Sequence, residues 1–75
     1  MKKLSVKIKT DFIKLDSLLK FAGLVETGAD GKLIIKEGRI NVNGEVCTMR
    51  GKKIYPSDKV QIPEIDTEIV VAAEK

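Results

Sequence analysis

The Asn43-Gly44 pair constrains the fold of this chain more than any other feature of its sequence. Both residue types tolerate positive φ, which a two-residue hairpin turn requires at its two central positions. Ile40, Asn41 and Val42 lead into the pair and residues 45–48 follow it, so a strand is expected on each side. The sequence therefore predicts a β-hairpin near the middle of the chain.

A first helix is predicted well before the hairpin. In residues 12–22, apolar side chains recur every three or four positions, which is the spacing of a helix buried on one side. Asp11 can cap the start of this helix, and Gly23 can end it because glycine readily adopts the left-handed conformation found after a helix. We therefore expect the first helix to cover residues 12–22.

A second helix is expected over about residues 28–37. Thr27 and Asp30 form a Thr-x-x-Asp capping signal at its start, and Gly38 follows its end. Gly31 falls on the apolar side of this helix, where it costs about 1 kcal/mol relative to alanine. We interpret it as the point at which the first helix approaches most closely.

Strands are predicted at both ends of the chain. Residues 3–9 alternate apolar and polar side chains, whereas residues 67–72 are rich in β-branched residues. Val60 and Ile62 resume the alternation after turns at Arg50-Gly51 and Pro56-Ser57-Asp58. These patterns add three strands and two turns to the central hairpin.

The order of elements predicts an α+β fold. Two helices are expected to pack on a small, bent, mainly antiparallel sheet that includes the hairpin. We further expect the two terminal strands to pair, with Asp66 and Glu68 facing Lys7 and Lys9.

The size and composition of the chain favour one folded domain over residues 1–75. Seventy-five residues allow one compact core, and 43% hydrophobic with 33% charged residues is typical of a chain that folds. The longest apolar runs, 33–35 and 69–73, are far shorter than the roughly 20 residues of a membrane span, and residues 1–9 lack the apolar region of a signal peptide. We expect a cytoplasmic protein that makes no membrane contact.

The residue types that carry most enzyme chemistry are scarce. The chain has no histidine and one cysteine, Cys47, so neither an internal disulfide nor a Cys/His zinc site can form. Nearby carboxylates are explained by caps and surface charge, and residues 28–32 lack the spacing of a phosphate-binding loop. We therefore expect a protein that is not an enzyme, without catalytic residues, metal, cofactor or small-molecule substrate.

Charge is distributed unevenly along the chain. Residues 1–10 contain four lysines and no acid, residues 39–55 are also basic, and residues 56–75 are acidic. Such separation can attract a polyanion to one side of a domain, although a charged surface also serves solubility. Lys32 and Lys36 form an i, i+4 pair of like charges on the second helix, which is a mild hint of an anionic partner.

Several short motifs occur in a fixed order between residues 12 and 62. They are Lys14-Leu15-Asp16, Gly23, Thr27, Ile34-Ile35, Gly38, Val42-Asn43-Gly44 and Pro56-Ser57-Asp58-Lys59-Val60. In this order and spacing they resemble a known family, the S4-like RNA-binding domain. The resemblance implies an arrangement of two helices and a hairpin, the alpha-L motif, around an RNA surface, as in small stand-alone bacterial members.

The resemblance implies binding of structured RNA, either ribosomal or transfer RNA, with the ribosome or a protein as a further partner. The residues that we expect to contact RNA are Lys14, Lys20, Lys32, Lys36, Asn43, Arg50, Lys52 and Lys53. Family members commonly have arginine at the position of Lys14 and a Ser-Arg pair at Thr27-Gly28, so Gly28 lacks a usual basic contact. For Asn43, the turn itself explains the residue, and an RNA contact would be additional.

The residues also leave a second function open. The chain is alternatively a protein interaction module with an S4-like fold and weak or lost RNA binding, docking through Phe21, Leu33 and the terminal strands. Added salt should weaken RNA binding steeply and an apolar protein interface much less.

Overall fold

A computed structural model describes residues 1–74. It contains two helices, α1 (Leu15–Phe21) and α2 (Gly28–Lys36), and a 3-10 turn at Pro63–Ile65. The strands, in chain order, are β1 (Lys2–Ile8), β2 (Ile13–Lys14), β3 (Asn41–Val42), β4 (Glu45–Val46), β5 (Lys53–Ile54), β6 (Lys59–Ile62) and β7 (Thr67–Ala73).

Five strands form one mixed sheet in the order β1-β7-β6-β3-β4, and β2 pairs with β5 in a separate ladder. Only β1 and β7 run parallel in the described sheets; the remaining pairs are antiparallel. The predicted hairpin is present, with Asn43 at φ 52° and Gly44 at φ 87° in its turn. The predicted α+β fold class is confirmed.

The two terminal strands pair as expected, but the predicted charge pairing between them is wrong. Because β1 and β7 are parallel, their first residues lie side by side, and Lys3 rather than Lys7 lies opposite Glu68. Lys7 lies opposite Ala72, and Asp66 Oδ2 is 3.9 Å from the amino terminus of Met1. The error follows from strand direction, which alternation along a single strand does not encode.

The predicted start of the first helix is also wrong. Residues 13 and 14 form β2, and α1 begins only at Leu15, without a side-chain cap from Asp11 or from Lys14. The Leu15 N–H instead donates to the Lys52 carbonyl at 2.9 Å, and the Asp16 N–H donates to the Arg50 carbonyl at 3.2 Å. A distant loop thus satisfies N–H groups that a helix cannot satisfy within itself.

The second helix agrees with its prediction to within one residue at its end. The Asp30 N–H donates to Thr27 Oγ1 at 3.2 Å, which confirms the cap, and Gly38 adopts the left-handed conformation at φ 74°. A Cβ atom on Gly31 would lie 3.5 Å from the Asp16 carbonyl oxygen of α1. The predicted close approach of the two helices is therefore confirmed.

The core lies between the helices and one face of the sheet. Leu15, Leu18 and Leu19 of α1 are fully buried, as is Ile35 of α2. The sheet and its connections contribute further buried side chains, namely Val6, Ile8, Ile40, Val42, Ile54, Val60, Ile62, Ile69 and Val71. This packing fixes α1 and α2 against the sheet and leaves their polar faces exposed. Within residues 1–74, neither helix has the length and apolar character needed to cross a membrane.

Candidate functional site

Three of the expected RNA contacts meet at one depression in the surface. Lys32 and Lys36 project from α2, and Arg50 projects from the loop that connects β4 to β5; together with Thr48, Met49 and Gly51 they line a shallow concavity. We call it the α2-loop depression. All of its charged side chains are cationic, so it presents a concentrated positive charge to a ligand.

The loop that carries Arg50 is held in place by its backbone. The carbonyl groups of Arg50 and Lys52 accept the first two N–H groups of α1, and the Lys52 N–H donates to the Met49 carbonyl at 3.1 Å. At the other end of the loop, the Cys47 N–H donates to the Ile40 carbonyl at 2.9 Å. Arg50 is therefore presented from a positioned loop and not from a free one.

A second group of cationic side chains surrounds β2 and β5. Lys14 lies directly opposite Lys53 in this ladder, an arrangement of like charges that is unfavourable in a sheet. The Lys53 ammonium lies 4.9 Å from the centre of the Phe12 ring, where a cation is attracted to the π system. An anion bound near both lysines would relieve their repulsion.

A groove lies beside the hairpin and borders the α2-loop depression. It is lined by the hairpin strands, the following loop and β5, and Thr48 and Met49 belong to both concavities. We call it the hairpin groove. Lys52 and Lys53 line it, together with three exposed apolar side chains, Val46, Met49 and Tyr55. None of these three residues was predicted from the sequence as a contact, although Tyr55 stands two residues after the basic turn at residues 50–53.

Asn43 has a structural role in the hairpin. Its Oδ1 accepts the Lys59 N–H at 3.0 Å, and its Nδ2 donates to Asp58 Oδ1 at 3.2 Å. The Asn43 backbone N–H donates to the Lys59 carbonyl at 2.8 Å. These bonds hold the tip of the hairpin against the turn at residues 55–58.

The remaining expected contact, Lys20, lies apart from the others. It is in the last turn of α1 and lines neither the α2-loop depression nor the hairpin groove. Lys20 is exposed on the outer side of the helix. The structure thus brings Lys32, Lys36 and Arg50 together, and Asn43, Lys52 and Lys53 together, but not all eight residues.

Arg39 belongs to the basic segment in the sequence, yet its charge is neutralised in the structure. Its guanidinium group pairs with both carboxylate oxygens of Glu64 and, at 3.0 Å, with Glu37. Hydrogen bonding to Arg39 lowers the pKa of Glu64, and the same bond, followed by the one to Glu37, raises the pKa of Arg39. Arg39 therefore adds little to the positive electrostatic potential at the candidate site.

The charged groups of the site are suited to binding and not to metal coordination. Within residues 1–74, no three His, Cys, Asp or Glu side chains are grouped so that they could hold a metal ion. Lysine and arginine side chains offer only hydrogen-bond donors at neutral pH, which suits phosphate oxygens.

Comparison with known proteins identifies a family and several relatives that match most of the chain. The model of the S4 domain matches residues 6–71. A Bacillus subtilis (strain 168) protein with the provisional name ribosome maturation protein RlbA is 35% identical over 57 residues, which cover 76% of this chain and 80% of that protein. An Escherichia coli (strain K12) protein with the provisional name RNA-binding protein YbcJ is 34% identical over 62 residues, covering 83% of this chain and 89% of that protein.

Proposed function

This chain belongs to the S4 domain family, and from that membership we propose that it is a non-catalytic RNA-binding protein that recognises structured RNA. The name of the Escherichia coli relative supports RNA as the partner. The proposed contact surface comprises the α2-loop depression and the lysines around β2 and β5. Lys20, which lines neither concavity, would be a separate contact. Asn43 serves this surface by fixing the hairpin.

The convergence of Lys32, Lys36 and Arg50 on one depression is the observation that carries the proposal. Two lysines one helical turn apart repel each other slightly, and the arginine adds a third charge to the same site. These side chains neutralise RNA phosphates and thereby release the counterions condensed on the RNA, which contributes a large favourable term to the binding free energy. Binding therefore depends on charge and on the shape of the RNA more than on base sequence.

We propose ribosomal RNA, within the ribosome or one of its precursors, as the target. The name of the Bacillus subtilis relative, a ribosome maturation protein, supports this choice over transfer RNA. A structured fragment of either RNA presents closely spaced phosphates, so electrostatics alone does not separate the two. A direct comparison of affinities for ribosomal and transfer RNA fragments distinguishes the two targets.

Fluorescence anisotropy with labelled ribosomal and transfer RNA fragments tests the proposal. The double variant Lys32→Glu, Lys36→Glu should bind at least about tenfold more weakly than the native chain, because two phosphate contacts become repulsive. Lys7→Glu, Lys9→Glu is the matched control, because it changes net charge equally. Lys7 lies in β1, at the edge of the sheet opposite the hairpin, and Lys9 directly follows that strand. Equal loss in both variants, or no native binding at low salt, would contradict the proposed surface.

A protein interaction module is the second candidate, favoured by two exposed apolar side chains on the helices. Phe21 is 66% exposed and Leu33 is 57% exposed. A partner pulldown at low and high salt discriminates between the two functions. Ribonuclease-sensitive capture that disappears at high salt supports RNA binding, whereas capture that persists after ribonuclease treatment at high salt supports a protein partner.

A further inference from the structure

The hairpin groove differs chemically from the α2-loop depression beside it. The charged side chains of the α2-loop depression are all cationic, whereas the hairpin groove contains two carboxylates, Glu45 and Asp58, as well as two lysines. The first concavity therefore attracts phosphate groups, whereas the opposite charges of the second largely cancel. The hairpin groove suits a flat, uncharged group with polar edges.

Exposed apolar surface is concentrated at the groove. Val46 is 65% exposed, Met49 is 66% exposed and Tyr55 is 48% exposed, and all three side chains line it. The Tyr55 ring packs against Phe12 in a tilted arrangement, with ring centres 5.9 Å apart. An aromatic ring that is held in place and half exposed provides a stacking surface at little conformational cost.

The local hydrogen bonds keep Tyr55 in this position. The Tyr55 N–H donates to Asp58 Oδ2 at 2.8 Å, and the Asp58 N–H donates to the Tyr55 carbonyl at 3.0 Å. The carboxylate of Asp58 also accepts a hydrogen bond from Asn43 Nδ2. Asp58 is thus committed to the protein, and Glu45 is the carboxylate left to accept an N–H group from a ligand.

We propose that the hairpin groove binds the base of one unpaired nucleotide, stacked on Tyr55, while the α2-loop depression binds phosphates of the adjoining helical RNA. The inference rests on the proposed RNA-binding function and adds to it a recognition element, a bulged or looped-out base next to a stem. Thr48 and Met49 line both concavities, so one RNA can reach both. Stacking on aromatic side chains is a general means of holding unpaired bases.

Three RNA hairpins with the same stem test this inference. The first is fully paired, the second carries one bulged nucleotide, and the third carries an abasic bulge that has the same backbone without the base. The native chain should bind the bulged RNA about tenfold more tightly than either of the others. Equal affinity for the bulged and abasic RNAs would overturn the inference.

Two substitutions at Tyr55 locate the effect. Tyr55→Leu removes the aromatic ring and should abolish the preference for the bulged RNA while leaving affinity for the paired stem unchanged. Tyr55→Phe keeps the ring and should retain the preference. If Tyr55→Leu retains the preference in a protein with native thermal stability, the base does not stack on Tyr55 and the inference fails.

Intrinsic fluorescence provides an independent readout. The chain has one tyrosine and no tryptophan, so its tyrosine emission reports on Tyr55 alone. The bulged RNA should quench this emission, and the paired and abasic RNAs should leave it nearly unchanged after correction for RNA absorbance. Binding of all three RNAs without quenching overturns the stacking proposal alone, whereas no binding of any RNA overturns the proposed function as well.

Discussion

The residues that stabilise the proposed RNA-binding surface differ from those that would contact RNA directly. Asn43 uses its side-chain amide and its backbone N–H within the hairpin and the neighbouring turn. Arg39 is cationic but neutralised by Glu64 and Glu37. Lys32, Lys36 and Arg50 remain directed at a shared depression. Residue type alone therefore does not identify a binding residue, because its local partners decide what it can offer a ligand.

Ser57 has the strained backbone expected at a position better suited to glycine. Its φ is 76°, and it follows Pro56 in the tight turn at residues 55–58. Replacement by glycine removes the penalty of the left-handed conformation but adds freedom to the unfolded chain, so Ser57→Gly should raise the free energy of unfolding by roughly 0.5–1 kcal/mol. Urea denaturation measures this change. Ser57→Ala is the control; an equal gain in that variant would show that backbone strain is not the cause.

The Arg39–Glu64 pair predicts a defined pH dependence of stability. A carboxyl group whose pKa falls on folding stabilises the fold above its unfolded pKa, and this contribution is lost as the pH falls through the folded pKa. The stability difference between the native chain and Glu64→Gln should therefore be constant near neutral pH and decrease in acid, below the ordinary pKa of glutamate. Urea midpoints measured across this range test it. A stability difference between the native chain and Glu64→Gln that stays constant into strong acid would show that the ion pair does not stabilise the fold.

The helices, strands and turns that depend on local interactions are predicted by the sequence. Thr27 and Gly38 delimit α2, Asn43 and Gly44 specify the hairpin, and alternation marks β1. The start of α1 is not predictable in this way, because carbonyl groups from a loop more than thirty residues later cap it. The direction of β1 relative to β7 and the pairing of Arg39 with Glu64 likewise depend on contacts between distant segments.

Some features of the candidate site are likewise predictable from the sequence, whereas others depend on the tertiary fold. The i, i+4 spacing of Lys32 and Lys36 shows in the sequence that they share a helix face, and the basic turn at residues 50–53 is visible too. That Arg50 joins the helix lysines, and that Tyr55 lines a groove with Val46, follows only from the tertiary fold. Lys20 was also expected to contact RNA but lies outside both concavities.

Gly31 tests the packing of α1 against α2. A Cβ atom there would lie 3.4 Å from Val25 Cγ2 and 3.5 Å from the Asp16 carbonyl, which is close but tolerable contact. Gly31→Ala should therefore be neutral or stabilising by up to about 1 kcal/mol, because alanine favours helix. Gly31→Leu should destabilise by about 1–3 kcal/mol, because its larger side chain separates the helices. Thermal and urea unfolding distinguish the two, and a leucine variant as stable as the alanine variant would contradict the close approach.

The five-stranded sheet separates two basic regions of the molecule. The lysines of β1 lie at one edge of the five-stranded sheet, whereas the hairpin and its groove lie at the other. The α2-loop depression is continuous with the hairpin groove through Thr48 and Met49. We therefore propose that RNA binds at the hairpin edge of the sheet and that the β1 edge lies outside the contact surface.

The salt dependence of RNA binding tests this assignment most directly. Binding constants for a ribosomal RNA fragment are measured over a salt series for the native chain, for Lys32→Glu, Lys36→Glu and for Lys7→Glu, Lys9→Glu. The slope of log K against log salt is negative. Its magnitude should decrease by about 1–2 in Lys32→Glu, Lys36→Glu, since two phosphate contacts are lost, and should stay at its native value in Lys7→Glu, Lys9→Glu. A native slope in Lys32→Glu, Lys36→Glu, or a slope of reduced magnitude in Lys7→Glu, Lys9→Glu, would contradict RNA binding at the α2-loop depression.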